Sequence, residues 1–516
     1  MKKKIYYQIL LFSLIGVMSS CDDWFDLYPQ SETVLEDYWQ DENDVKSTIG
    51  ACYRAMNEVS FMERLMVWGE VRSDNVIKGV SDNTELDKIL KLTLNSTNDY
   101  TSWDIFYQTI NYCNTVIYYA PAVREKDPNF TEGQLRAYLA EAKGIRALCY
   151  FTLVRTFRDI PFITEPTIDD SESFQIPQSD PDEILQFLIE DLKEIENSAL
   201  VEFDNPIHSK GRITRKTIWA LIADMALWLN DYDTCITYCD KILTFGNNLI
   251  LDTSLLYYMN IFVAGLSNES IFELQFSTAL PNYATVEAYS AFGSGRPGEN
   301  VFRLSAFDFL NKSTLFGTTD LRAKDFFIPI QVNGHFPIIK YVGYRQRIDN
   351  TGSVLLSDYV STSCFRWIFY RLSDAYLMKA EALVEKGGDL QTAFDLVSTV
   401  YDRANPELGA GSLSFSEYSS QILMRNLVFD ERQREFLFEG KRYFDLLRRI
   451  KREGTPRNVV STYLVKKYID LDQSTVLSKI NDKDAVYMPI NNNELKKNTL
   501  LVQNPFYILS SDISKN

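Results

Sequence analysis

Glu431, Glu435 and Glu439 stand four residues apart in the stretch from Leu427 to Ile450, LVFDERQREFLFEGKRYFDLLRRI. On one continuous helix they would share a face. A pair of carboxylates at a set separation can serve as acid and base, in glycoside hydrolysis above all, and Glu435 with Glu439 would supply it. The same spacing has a second reading. Like charges four apart repel, and Arg434, Lys441 and Arg442 are near enough to offset them. Asp445 can pair back to Lys441 or Arg442 and forward to Arg448 or Arg449. Phe436, Tyr443, Phe444 and Leu447 add an apolar stripe at helical spacing. The result would be a salt-bridged structural helix docked by its aromatics, and the abundance of cations favours it. Gly440 costs about 1 kcal/mol against Ala inside a helix. It marks a close backbone approach or a break between two short helices.

Little else in the chain is equipped for chemistry. There are two histidines, His208 and His335, and no CxxC, so a zinc site is not expected. Cys52, Cys113, Cys149, Cys235, Cys239 and Cys364 form no disulfide framework and read as buried free thiols. No GxSxG, HExxH, phosphate loop or dinucleotide fingerprint is present. No metal or cofactor is implied.

The chain opens on a targeting segment, Met1 to Ser20. Lys2, Lys3 and Lys4 precede a mostly apolar run from Ile9 to Met18, too short to span a bilayer. Ser19 and Ser20 then lead into Cys21, an arrangement that resembles a lipobox. Cleavage before Cys21 would leave a lipidated cysteine, with enough acyl chains for stable anchoring. Without the segment, 50 basic residues face 70 acidic ones, a net formal charge of −20. Such a surface repels nucleic acid.

The elements that must position these residues are mainly helices. Periodicity predicts them over Asp44–Val59, Trp103–Tyr119, Thr131–Arg158, Pro181–Glu196, Thr214–Leu229, Asp233–Leu243, Ser373–Glu385 and Leu390–Ala404. Thr214–Leu229 with Asp233–Leu243, and Ser373–Glu385 with Leu390–Ala404, read as tetratricopeptide-like hairpins with small residues at their crossings. No linker composition divides the chain. The expectation is a mostly α, tetratricopeptide-like scaffold carrying long inserted loops and a few short strands, one body over 21–516.

The motif Glu431-Arg432, Glu435-Phe436, Glu439-Gly440, Arg442, Phe444-Asp445-Leu446 and Arg448 resembles the C-terminal signature of the SusD/RagB family, surface lipoproteins of Gram-negative nutrient uptake. The resemblance runs along the chain in order. It includes Leu27 and Pro29, then Trp39, Asp44 and Ile49, and Glu70 with Ser73-Asp74-Asn75. Next come Trp103, Tyr107 and Asn114, and Glu141 to Phe162 with Arg158 where glycine is usual. Gly211 to Thr214 follow, then Arg371 to Leu383 with Ser373 where alanine is common. Pro489-Ile490, Glu494 and Gln503-Asn504-Pro505 complete it. It implies an N-terminal part over about 21–230 and a C-terminal part over about 270–516, on the outer face of the outer membrane. In that family the motif is structural. The helices face a SusC-like TonB-dependent transporter, and variable loops bind the ligand, an oligosaccharide or in some members a peptide.

Three stretches have the flat aromatic faces and planar polar groups that sugars need. Ser73 to Thr101, with Arg72 before it, offers Arg72, Asp74, Asn98 and Tyr100. Pro281 to Phe302 offers Tyr283, Tyr289 and Arg296. Tyr341 to Trp367 offers Tyr344 and Arg345. Trp103, Trp219, Trp228 and Trp367 read as core.

Overall fold

The computed structural model describes residues 38–508 apart from 81, 168–174, 247–248, 290–302, 308–314, 318, 328–333, 342, 349–353, 361–363 and 469. The signal segment and Cys21 therefore lie outside the described residues.

Helices carry the architecture. The first are α1 (Glu42–Met56), α2 (Val59–Met66), α3 (Thr84–Leu90), α4 (Asp104–Lys126) and α5 (Glu132–Phe157). Then come α6 (Pro181–Ile195), α7 (Arg215–Trp228) and α8 (Tyr232–Thr244). A long insertion carrying α9 (Tyr283–Tyr289) precedes α10 (Leu372–Glu385), α11 (Leu390–Ala404), α12 (Gln421–Glu435), α13 (Arg442–Glu453) and α14 (Asn492–Lys497). Many starts are written in the sequence. Thr131 and Gln134 form a capping box on α5, Asp180 caps α6 with Pro181 in its first turn, and Asp389 caps α11. α4 runs seven residues past the predicted end, through Pro121, because Ala120 and Val123 are drawn into the core.

Both predicted hairpins form, and α8 of the first packs against α10 of the second. α12 closes on α10 and α11, while α1, α4 and α5 pack together at the other end of the sequence. The insertion between α8 and α10 supplies most of the short strands. β1 (Val76–Lys78) pairs antiparallel with β5 (Leu304–Ala306), and β2 (Ile160–Pro161) with β3 (Gln178–Ser179). β4 (Ser270–Leu274) pairs with β8 (Trp367–Arg371), and β6 (Gly343–Ile348) with β7 (Val354–Val360). All four ladders are two-stranded. The mostly α, tetratricopeptide-like scaffold is as the sequence predicts. Trp103, Trp219, Trp228 and Trp367 are in the core, and Cys52, Cys113, Cys149, Cys235 and Cys239 are buried free thiols.

The structure settles the alternatives left open at Gly440. Leu427 to Ile450 is not one helix. α12 stops at Glu435 and α13 starts at Arg442, so Glu439 does not share a helix face with Glu431 and Glu435. Gly440 sits in the break at φ +68°, and the backbone of Gly69 comes so close that a Cβ there would fall 1.8 Å from the Gly440 carbonyl oxygen. Both readings of Gly440 hold.

Candidate ligand site and the motif beneath it

Glu435 and Glu439 meet through a cation. Arg371, at the end of β8, lies between them. Its Nη2 donates to Glu439 Oε1 at 2.8 Å, its Nε to Glu439 Oε2 at 3.1 Å, and its Nη1 to Glu435 Oε1 and to Glu269 Oε1. The β4–β8 ladder sets this geometry, since Glu269 immediately precedes β4 and its backbone carbonyl accepts the Leu372 amide at 2.8 Å. Arg403 pairs with Glu435 and, at 2.7 Å, with Glu269 Oε2. Arg322 bridges Asp320, Glu431 and Glu435, and Lys340 Nζ reaches Glu439 Oε1 at 2.6 Å. Every one of these side chains is at most 1% exposed.

The electrostatics follow. Burial pushes the Glu435 carboxyl up, but Arg403, Arg371 and Arg322 outweigh it and hold it well below the usual range. Burial likewise raises Glu439, yet Arg371, Lys340 and Lys441 bring it down to about 2. A general acid needs a carboxyl that is protonated near neutral pH and within reach of substrate. Neither is. A void of about 50 Å³ touches Glu439, Lys441, Asp445 and Arg448. It has room for water but not for a sugar ring.

The rest of the motif is equally committed. Arg432 takes Asp445 in a two-pronged pair at 3.0 and 2.8 Å, and Arg448 takes Glu381 at 2.8 and 2.6 Å. Arg442 grips Asp74 at 2.8 and 2.9 Å across 368 residues of sequence. Glu70 accepts from Asn75 at 2.7 Å and from the Gly440 amide at 3.0 Å. The Glu70 to Asn75 element of the N-terminal part therefore plugs into the C-terminal motif.

On this base stand the three loop stretches. Tyr289, at the end of α9, stacks on Tyr341 with ring centroids 5.8 Å apart, and Tyr341 stacks on Trp367 at 6.0 Å. The Tyr341 hydroxyl donates to the Phe438 carbonyl in the motif break at 3.2 Å. β1, in the first stretch, pairs with β5 just past the end of the second, with the Gly79 amide donating to the Arg303 carbonyl at 2.8 Å, and α9 packs on α2 and β5. The β6–β7 hairpin leaves the stack just after Tyr341. Stretches far apart in sequence thus rise from adjacent roots.

Individual residues fare differently. Tyr283 is 54% exposed at the start of α9, as a ligand platform requires. Tyr289 is fully buried in the aromatic stack, and Asp74 is spent on Arg442. Asn98 is buried, capping the Tyr100 amide and donating to the Glu85 carbonyl at 2.8 Å. Tyr100 is buried with its hydroxyl accepting from Asn83 at 3.1 Å. Arg72 donates to the Val486 and Ala485 carbonyls at 2.9 and 2.6 Å and lies over the Tyr443 ring. These five side chains are taken up by contacts within the chain. Tyr344 and Arg345 lie on β6, opposite Tyr359 and Asp358 in the ladder. Arg296 lies outside the described residues. Asn83 and the Glu63–Arg303 ion pair at 2.9 Å, which the sequence does not single out, sit half-exposed beside Tyr100 and the start of β5. No spacing or motif marks them.

The chain is thus a helical-hairpin scaffold whose inserted loops are rooted on an ionic and aromatic base. Comparison with known proteins agrees. Residues 23–227 match a family model described as "Starch-binding associating with outer membrane", and residues 351–507 match the model of the SusD family. The chain belongs to the SusD/RagB family. The SusD-like protein P38 of Formosa agariphila is 24% identical over 477 residues, covering 86% of this chain and 91% of its own, and the SusD-like protein P2 of the same organism is 25% identical over 478 residues, covering 87% and 90%. Among solved structures, a SusD superfamily protein from Bacteroides thetaiotaomicron superposes with a TM-score of 0.71 at 18% identity, covering 90% of this chain and 99% of its own. A laminarin-binding SusD-like protein does so with a TM-score of 0.66 at 22% identity, with the same coverage.

Proposed function

We propose that this chain is a non-enzymatic, surface-exposed lipoprotein that captures an oligosaccharide and delivers it to a SusC-like TonB-dependent transporter. The match of residues 23–227 to a starch-binding, outer-membrane-associating family carries this reading. The laminarin-binding relative supports a glycan ligand. Burial of Glu435 and Glu439 among cations supports capture without hydrolysis. Among the described residues no helix is long and apolar enough to cross a membrane; the lipobox-like Ser19-Ser20-Cys21 supports a lipid on Cys21 as the anchor.

The first experiment is calorimetry of the chain from Asp22 onward, which keeps every described residue, against neutral oligosaccharides and peptides. Binding of one glycan class supports the proposal. Binding of peptides alone moves the chain to the peptide-capturing branch of the family, and hydrolysis of any bound glycan overturns the non-enzymatic reading. Cys21→Ala should release the full-length protein from the outer-membrane fraction, and copurification of that transporter with the wild-type chain tests the partner.

A further inference from the structure

A groove of about 600 Å³ opens between the first turns of α4, the chain following β2 and the segment from α14 to Leu501. That volume lies within the range of about 300–1,000 Å³ usual for small-ligand sites. It shares no lining residue with the small cavity of about 20 Å³ under Tyr100, Arg303 and Leu304 at the loop roots. Its walls are mainly apolar: Trp103, Tyr107, Ile110, Ile163, Ile176 and Leu501.

The walls are braced. The Tyr107 hydroxyl donates to the Pro161 carbonyl at 2.7 Å, and Asn111 accepts the Thr167 amide at 2.8 Å. Asn498 donates to the Ile176 carbonyl at 2.6 Å. The groove therefore keeps its shape through bonds that tie three separate segments together. Asp104, Glu494 and Lys497 remain as the charged groups on its lining. Glu494 is half-buried and accepts from Trp103.

This combination selects a ligand by elimination. A wholly apolar ligand would cover the Glu494 carboxylate and strip its water without replacing the lost hydrogen bonds. A simple anion would face two carboxylates. A simple cation would face Lys497. A neutral ring with one C–H face and several hydroxyls suits all three groups, because hydroxyls donate to carboxylates and accept from an ammonium. We propose that this groove is a second carbohydrate subsite, taking one or two neutral pyranose units against Tyr107, Ile163 and Leu501, with their hydroxyls held by Asp104, Glu494 and Lys497. It is distinct from the loop site and would give the protein a second grip on a longer chain.

The test is calorimetry of the chain from Asp22 onward with laminaritetraose and maltotetraose, in Tyr283→Ala and in the same background with Glu494→Gln or Thr167→Trp. Glu494→Gln keeps shape and removes charge. Thr167→Trp fills the groove from its half-exposed rim, and melting curves confirm that each variant folds. The expected result is that at least one neutral tetraose binds the Tyr283→Ala chain and loses about tenfold or more in affinity, about 1.4 kcal/mol, in either groove variant. A galacturonate tetramer should bind more weakly than the neutral sugars. Unchanged affinity in both groove variants overturns the subsite and leaves loop capture standing. Failure of both tetraoses to bind Tyr283→Ala at millimolar concentration also overturns it, and their failure on the unmutated chain as well would count against loop capture of these sugars.

Discussion

The break between α12 and α13 and the loop roots above it lie side by side and solve opposite problems. In the break, carboxylates and cations are packed at nearly zero exposure, each charge answered by another. At the roots, contact is largely aromatic, through Tyr289, Tyr341 and Trp367, and the polar pairs Glu63–Arg303 and Asn83–Tyr100 are separate. A buried ion cluster tolerates almost no substitution, because removing one partner strands the other. An aromatic base with exposed loops tolerates many. The contrast explains why the recognisable motif and the ligand site fall in different places. The motif is the part where a substitution strands a buried charge, and the proposed ligand site stands on what it supports.

Breaking the cluster should have the largest effect. Arg371→Met would leave Glu269, Glu435 and Glu439 short of a shared cation. Loss of one partner of a buried pair costs about 3–5 kcal/mol, so the variant should unfold at markedly lower denaturant or fail to accumulate. Equal stability in a urea melt would show that the cluster is not what fixes the fold.

Next is the contact between the two parts of the chain. Gly69→Ala places a Cβ 1.8 Å from the Gly440 carbonyl oxygen, a backbone atom that cannot simply turn aside. Overpacking of this kind costs about 1–3 kcal/mol. A melting temperature matching the parent's would mean that the two segments separate freely.

Acid should loosen the cluster before it touches the roots. Glu439 is held at about 2 against an ordinary 4.5, so the unfolded chain takes up its proton first as pH falls. The stability it lends is full above about 4.5 and is lost as pH falls from there toward 2. Denaturant melts across that window should show a steeper loss for the parent than for Glu439→Gln, which has no proton to take up at that position. Parallel curves would overturn the assignment.

How far the sequence reaches follows the same divide. Helix starts were legible because caps are local: Thr131 with Gln134, Asp180 with Pro181. The break at Gly440 was only half legible, since the approach of Gly69 that makes it necessary comes from 371 positions away. The ligand residues were least legible. Asp74 and Asn98 carry the planar polar groups that sugar hydroxyls need, yet sequence does not say whether a partner is a sugar or another part of the chain. Here Arg442 and the Glu85 carbonyl take those places. Burial of Tyr100 and Tyr289 was illegible for the matching reason: an aromatic in a loop can face outward or become the loop's own anchor.

Tyr283 is where the contrast is sharpest and the expected effect on stability smallest. It lies one turn and a half from Tyr289 on α9, but is half-exposed where Tyr289 is fully buried. Surface substitutions away from caps and cores usually change stability by no more than about 0.5 kcal/mol. Tyr283→Ala should therefore melt with the parent. Its effect should appear in binding instead, as the loss of one face for a sugar ring to rest on, and calorimetry with the glycan found in the first screen measures it. Tyr289→Ala should do the reverse, lowering the melt by the cost of an emptied core site, about 3–5 kcal/mol for a large aromatic, and weakening binding only through the displaced roots. If Tyr283→Ala changed neither the melt nor the affinity, the exposed end of α9 would be ordinary surface, and the groove beside α4 or the β6–β7 hairpin, where Tyr344 stands opposite Tyr359, would have to carry the ligand.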